Sequence, residues 1–237
     1  MRISGDYMKK LAIFDFDGTL FDSVEDVIIS FNKALTIHDF PTLTREELIP
    51  CLGGNIDDIV GKVLGKNNNP QNLEMLKETY LNIYDSSEKE NTIPFSFSRD
   101  LLLELSDNGV ILSVNSNRLN YSLRGFIEEY FSDIDFVCIE GHNLDYPPKP
   151  DPYWANKIIE KAGVLPDEAI YIGDSSTDIQ TAKNAGIDCL IVRWGYGSQR
   201  DFEDDYILDC VESPSEIVKY FYWYRPFFQR IPSCHCR

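Results

Sequence analysis

Short apolar runs closed by polar or glycine punctuation recur along the chain, and each predicts a strand. They are residues 10–14 (KLAIF), 110–114 (VILSV), 135–139 (DFVCI), 169–172 (AIYI), 189–193 (CLIVR) and 206–209 (YILD). Helical patterns fall between them. Residues 98–108 begin at Ser98, carry Leu101, Leu102 and Leu105 on one face, and end at Asn108-Gly109, where glycine suits the left-handed turn that closes a helix. Residues 151–162 run up to Gly163, and residues 176–185 run up to Gly186 with Ala182 and Ala185 available for close packing. Strand–helix alternation of this kind predicts an α/β fold built on a doubly wound, mainly parallel sheet.

Between residues 22 and 92 the period changes. Val24, Val27, Ile28, Phe31 and Leu35 recur at helical spacing, with Ser23 and Asp26 placed to cap the start. Further helical segments follow at 44–50, 55–64 and 70–87, separated by Gly53-Gly54 and by Gly65-Lys66-Asn67-Asn68-Asn69-Pro70. With no strand pattern there, residues 22–92 read as an all-helical insertion, and residues 1–21 with 93–237 as the α/β core. Near the chain's end, Phe221-Tyr222-Trp223-Tyr224-Arg225-Pro226-Phe227-Phe228 is a dense aromatic cluster. It reads as part of a final helix beginning near Ser215 and packing on the sheet, or as a surface for a dimer or partner.

Composition narrows the picture. The chain has 237 residues, of which 43% are hydrophobic, enough for one α/β domain and a smaller one. A net charge of −17 argues against nucleic acid or an anionic membrane as partner. An anionic substrate would therefore need a metal ion and local cations to enter. No apolar run approaches the roughly 18 residues needed to cross a bilayer, and Asp15 and Asp17 interrupt any signal-peptide pattern. Six scattered cysteines read as reduced thiols of a cytoplasmic protein. Cys234-His235-Cys236 supplies too few ligands for a structural zinc site. Met8 opens MKKLAIFDFDGTL and reads as a natural start, with residues 1–7 as a lead.

Chemistry enters at the strand ends. Asp15 and Asp17, at i and i+2 where the first strand stops, should leave it on one side, with Gly18 allowing a sharp turn. Paired acids so placed can hold a divalent metal and divide nucleophilic and acid/base roles. Asn115-Ser116-Asn117 follows the second strand, suited to binding phosphoryl oxygens. Pro147-Pro148-Lys149-Pro150-Asp151-Pro152 restricts one lysine between prolines, and Gly173-Asp174-Ser175-Ser176-Thr177-Asp178 places acids at i and i+4 across a strand-to-helix turn. Singly, these are equally a solvated turn, ordinary turn chemistry, a surface lysine and a helix cap. In a parallel sheet, however, the loops at the carboxyl ends of the strands share one edge.

Taken in order, with the full DxDGTLxDS string from Asp15 to Ser23, the four elements resemble the motifs of the haloacid-dehalogenase superfamily. The resemblance covers nearly the whole chain, extending to Ala182-Lys183-Asn184-Ala185-Gly186 and to Trp194-Gly195-Tyr196-Gly197. It is closest to the subfamily (IA) with a helical cap inserted after the first motif, and to its phosphoglycolate-phosphatase-like branch. The resemblance implies a Rossmann-like core under a cap and an Mg²⁺-dependent phosphatase acting on a small phosphorylated metabolite. Asp15 would be the nucleophile and Asp17 the acid/base. Ser116 and Lys149 would hold the phosphoryl oxygens, helped by Asn117. The ion would lie on the Asp15 carboxylate, the Asp17 carbonyl and the Asp174 carboxylate, with Asp178 supporting a bound water or Lys149. Dehalogenases themselves lack the second acid, so Asp17 favours phosphoryl chemistry.

Residues near Arg45 and Gly53-Gly54-Asn55 are candidates for reading the leaving group, and Arg118 is either an added positive charge or a solvated arginine. The segment Ile93-Pro94-Phe95-Ser96-Phe97 departs from the proline–glycine turn of relatives, which leaves cap mobility open. A β-phosphoglucomutase-like sugar phosphomutase and a pyrophosphatase or nucleotidase need the same motifs. An inactive binding module would not need an intact nucleophile. His38, His142 and His235 lack the context of a Ser–His–Asp hydrolase. A monomer and a homodimer are both compatible with the sequence.

Overall fold

A computed structural model of the chain describes residues 8–143 and 145–222. At its centre is strand β1 (Leu11–Phe14), whose four side chains are all fully buried. The continuous apolar run follows from burial on both faces. Ala12 and Phe14 point into one hydrophobic cluster, and Leu11 and Ile13 into the other. A short antiparallel pair, β2 (Phe21–Asp22) and β3 (Ile93–Pro94), lies outside the main sheet. The other strands are β4 (Ile111–Leu119), β5 (Phe136–His142), β6 (Ala169–Gly173), β7 (Asp188–Val192) and β8 (Asp209–Val211). The six-stranded sheet runs β5-β4-β1-β6-β7-β8, and every pairing in it is parallel.

Helices cover both faces. Between β2 and β3, helices α1 (Val24–Ile37), α2 (Arg45–Leu48), α3 (Ile56–Leu64) and α4 (Pro70–Ser86) follow one another without a strand. In the α/β region, α5 (Ser98–Asp107), α6 (Asn120–Phe131), α7 (Tyr153–Ala162), α8 (Ser176–Ala185), α9 (Gln199–Phe202) and α10 (Pro214–Val218) complete the structure. Helices α5, α6 and α10 supply the cluster around Phe14, while α7 and α8 supply the one around Ile13. Crossovers onto both faces make the sheet doubly wound, as the alternating pattern predicts.

The strand expected at 206–209 lies further on, at Asp209–Val211. Tyr206 turns inward, its hydroxyl donating to the Ile187 carbonyl at 2.8 Å, and residue pairing with β7 begins at Asp209. Strand β4 runs past the expected stop at residue 114 to Leu119, carrying Ser116, Asn117 and Arg118. The final helix among the described residues is the short α10, after which Phe221 is buried in the first cluster. The rest of the aromatic cluster from Trp223, Cys234-His235-Cys236 and the lead at residues 1–7 lie outside the described residues. The described cysteines Cys51, Cys138, Cys189 and Cys210 are free thiols. Among the described residues no helix is long and apolar enough to cross a membrane.

The helices α1 to α4 pack around a third cluster centred on Phe31, Leu35, Leu76 and Tyr80, with Phe31 stacked on Tyr80 at 3.8 Å between ring centroids. The chain leaves for this region through β2 and returns through β3. Asp26, in the first turn of α1, fixes the return: its carboxylate accepts from the Asn91 main chain at 3.1 Å and the Thr92 hydroxyl at 2.7 Å. Beyond β3, the Phe95 N–H and the Ser98 hydroxyl both donate to the Leu20 carbonyl, at 3.0 and 2.7 Å. The Ile93–Phe97 segment is thus tied to the outgoing connection by hydrogen bonds.

Candidate active site

Asp15 sits one residue past β1. Its main-chain N–H continues the sheet by donating to the Ile172 carbonyl at 2.8 Å, and its Oδ1 accepts from the Phe16 N–H at 2.7 Å. The chain then closes a tight loop in which the Phe16 carbonyl accepts from Thr19, Leu20 and Phe21. Gly18 is required in that loop for two reasons. Its φ is +78°, and a Cβ there would lie 2.2 Å from an Asp174 carboxylate oxygen.

Three strand ends converge on Asp15. The Lys149 ammonium, from the proline loop after β5, lies 2.8 Å from Asp15 and 2.7 Å from Asp178. Asp178 is fully buried. Its Oδ1 takes Lys149, and its Oδ2 accepts from the main-chain N–H groups of Asp174 and Ser175 and from the Ser175 hydroxyl. Asp15, Asp174 and Asp178 each offer a carboxylate oxygen within 4.8 Å of the others. Three buried carboxylates thus face one ammonium. Burial first, and then the neighbouring Asp178, push the Asp15 carboxyl up to about 7. The same causes, with Asp15 added, raise Asp174 well above the carboxylate range. Burial works against the Lys149 charge, but Asp15 and Asp178 outweigh it and hold the ammonium protonated. Excess negative charge on hard oxygen donors, gathered in one place, fits a divalent metal ion.

Ser116 is buried at the same edge on β4, and its Oγ accepts from the Arg118 N–H at 3.1 Å. Asn117, expected to touch phosphoryl oxygens, uses both ends of its amide on the proline loop. Its Oδ1 accepts from the Lys149 N–H at 2.7 Å and its Nδ2 donates to the Lys149 carbonyl at 3.0 Å. The amide therefore fixes where the lysine begins.

Asp17 diverges from Asp15. Its carboxylate stands outside the acidic cluster and accepts from the Ser23 hydroxyl and from the Arg118 guanidinium through both Nε and Nη2. Arg118 is not solvated: its side chain is 3% exposed and its guanidinium lies over Phe16, Phe126 and Tyr84 at 4.8, 5.3 and 5.6 Å. The i, i+2 spacing carried no signal of this, because the tight loop rotates the second acid away.

The loop after β7 is the other element that sequence reasoning left without a part. The Tyr196 N–H donates to Asp174 Oδ2 at 2.6 Å, while its phenol donates to Asp22 and accepts from the N–H groups of Ser23 and Val24 at 2.7 and 3.1 Å. One residue thus touches the acidic cluster and the start of α1. From the turn before α3, the Gly54 N–H donates to the Thr177 hydroxyl at 2.7 Å, which rests the Gly53-Gly54 turn on the start of α8. Arg45 faces Asp22 and Glu25 at 3.8 and 3.6 Å.

Known proteins resemble this chain over most of its length. The sequence profile of the haloacid dehalogenase-like hydrolases matches residues 12–192. A phosphoglycolate phosphatase of Vibrio vulnificus is 27% identical over 218 residues, spanning 88% of this chain and 96% of that protein. Another, of Pseudomonas syringae, is 28% identical over 202 residues, spanning 84% of this chain and 74% of its own. A crystal structure from Lactobacillus delbrueckii superposes with a TM-score of 0.83 at 25% identity, covering 91% of this chain and 99% of that one.

Proposed function

We propose that this chain, which belongs to the haloacid dehalogenase-like hydrolase family, is an Mg²⁺-dependent phosphatase acting on a small phosphorylated metabolite of the 2-phosphoglycolate kind. The observation that carries the reading is the buried Asp15 carboxylate, gathered with Asp174, Asp178 and Lys149 at one sheet edge. The phosphoglycolate phosphatases similar to this chain support the substrate class. Residues 22–92 act as a cap over the core formed by residues 1–21 and 93–237, with the Gly53-Gly54 turn closing on α8.

In this mechanism an Asp15 oxygen attacks phosphorus and the bond to the leaving oxygen breaks, giving an aspartyl phosphate. Asp17 gives its proton to the leaving oxygen. It then takes a proton from the water that attacks the same phosphorus, and breaking of the Asp15–phosphorus bond releases phosphate and restores the carboxylate. Ser116 and Lys149 hold the phosphoryl oxygens as charge moves onto them, and Asn117 and Asp178 keep Lys149 in place. Asp15, Asp174 and the Asp17 carbonyl would hold the metal, whose charge offsets that of the incoming phosphoryl group.

Phosphate release from 2-phosphoglycolate, hexose phosphates, pyrophosphate and nucleoside monophosphates tests the reading, with and without Mg²⁺ and with Asp15→Asn alongside. Release that needs both the metal and Asp15, and is fastest with 2-phosphoglycolate, is expected. A folded wild type that releases phosphate from none of these would overturn it.

A further inference from the structure

We infer that Arg118 selects substrates whose leaving group carries a carboxylate, by exchanging Asp17 for that carboxylate when the substrate binds. The inference rests on the phosphatase reading and adds to it the group that recognises the leaving group's charge.

In this structure the Asp17 carboxylate is engaged by three donor contacts, from Ser23 and from the Nε and Nη2 of Arg118. A carboxylate so held has its oxygens turned toward the guanidinium and the Ser23 hydroxyl rather than toward a leaving oxygen. Using Asp17 as the acid requires it to leave Arg118. The guanidinium would then stay behind as a buried cation, 3% exposed and walled by the Phe16, Phe126 and Tyr84 rings. Its remaining polar contacts are the Ser122 hydroxyl, 3.4 Å from Nη1, and the Tyr84 phenol, both neutral. A buried charge that loses its partner is strongly unfavourable. An anion arriving with the substrate removes that penalty, and a neutral leaving group does not.

The geometry also fits the carboxylate class. Nε and Nη2 present a planar two-donor fork, already filled by a carboxylate in this structure. Because the fork is in hydrogen-bond contact with the residue that must reach the leaving oxygen, a carboxylate a bond or two from that oxygen can occupy it. Access comes from the Asp17 side, where the side chain is 32% exposed. Tyr84 belongs to α4, so the pocket is completed by the helical insertion.

The test compares kcat/KM for 2-phosphoglycolate and its neutral amide, carbamoylmethyl phosphate, using the full chain with Mg²⁺. Wild type should prefer the carboxylate by about 100-fold or more, since a site built around a polar partner rejects an analogue that lacks it. In Arg118→Gln that ratio should fall at least tenfold. Arg118→Lys keeps the charge without the fork and should lie between the two. Ethylene glycol bisphosphate serves as a probe with a second phosphate, and a preference for it over 2-phosphoglycolate would overturn the carboxylate assignment. So would a wild type that treats acid and amide within about threefold, or an Arg118→Gln protein, folded by thermal unfolding, that keeps the wild-type ratio. Calorimetric binding of the acid and the amide to Asp15→Asn and to Asp15→Asn/Arg118→Gln gives the same comparison without turnover. If wild type hydrolyses nothing, the phosphatase reading has failed. Binding then decides the Arg118 inference alone: a carboxylate preference that depends on Arg118 supports it, and its absence overturns it.

Discussion

Asp15 and Asp17 are two residues apart, yet the regions around them hold negative charge in opposite ways. Asp15 faces two more buried carboxylates and shares one ammonium with Asp178, so its own charge is resisted by burial and by its neighbours. Asp17 is partly exposed and meets a guanidinium and a hydroxyl, so its charge is welcomed. The first region is arranged to receive positive charge from outside the chain, whereas the second already has its counterion. Removing charge from each should therefore have opposite consequences for stability, even where both losses damage activity.

The largest effect is expected for Asp15→Asn. Loss of the attacking oxygen should lower phosphate release by about 10⁴-fold or more. Metal-free protein should nevertheless unfold at a temperature no lower than wild type, because one member of a crowded set of buried anions is neutralised while Lys149 keeps Asp178. Asp17→Asn should lower turnover by about 10²–10⁴-fold, the usual range for a positioned acid/base. Here the metal-free protein should lose about 3–5 kcal/mol in chemical denaturation, because a buried guanidinium is left without its anion. Equal stability changes in the two variants would break the contrast.

The acidic cluster around Asp15 could be anticipated from the chain, and the setting of Asp17 could not, for physical reasons. Leu11–Phe14, Ala169–Gly173 and the acids beyond them are local patterns, so the sheet edge and the residues gathered on it follow from period and punctuation. The partner of Asp17 does not. Arg118 lies 101 residues away, and its burial depends on rings from Phe16, α6 and α4 that only tertiary packing assembles. The same holds for Tyr196, 22 residues from Asp174 and 173 from Ser23. The shift of the last strand to Asp209–Val211 likewise reflects where Tyr206 found its partner, a choice between two positions that local propensity leaves equal.

Acidity sharpens the comparison with a smaller effect. Burial and the neighbouring Asp178 hold the Asp15 carboxyl up at about 7 in the folded, metal-free chain, against an ordinary aspartate value of 3.8. Between those values the folded protein binds the proton more tightly than the unfolded chain does. Its contribution to stability is therefore present at low pH and lost as pH rises through about 7. In metal-free protein, the stability of Asp15→Asn relative to wild type should be small near pH 5 and grow by pH 8. Adding Mg²⁺ should reverse the pH 8 difference by stabilising wild type more than the variant. Thermal unfolding at the two pH values, with and without metal, reads all four states, and a difference independent of pH would contradict the assignment of burial to Asp15.

The smallest effect expected is that of Tyr196→Phe, which asks whether the acidic cluster and the start of α1 are held separately. The substitution removes the phenol that caps the N–H groups of Ser23 and Val24 and donates to Asp22. It leaves the main-chain N–H on Asp174 untouched. Ser23 and Val24 are almost completely buried, so their donors cannot turn to water instead. About 1–3 kcal/mol of stability should be lost, the cost of leaving such groups unsatisfied. Faster amide exchange should be confined to the first turn of α1, with Mg²⁺ affinity within about twofold of wild type, because the phenol contributes no contact to Asp174 other than through its own backbone. A tenfold loss of Mg²⁺ affinity would mean that the first turn of α1 and the acidic cluster move together, and the two regions would have to be treated as one mechanical unit.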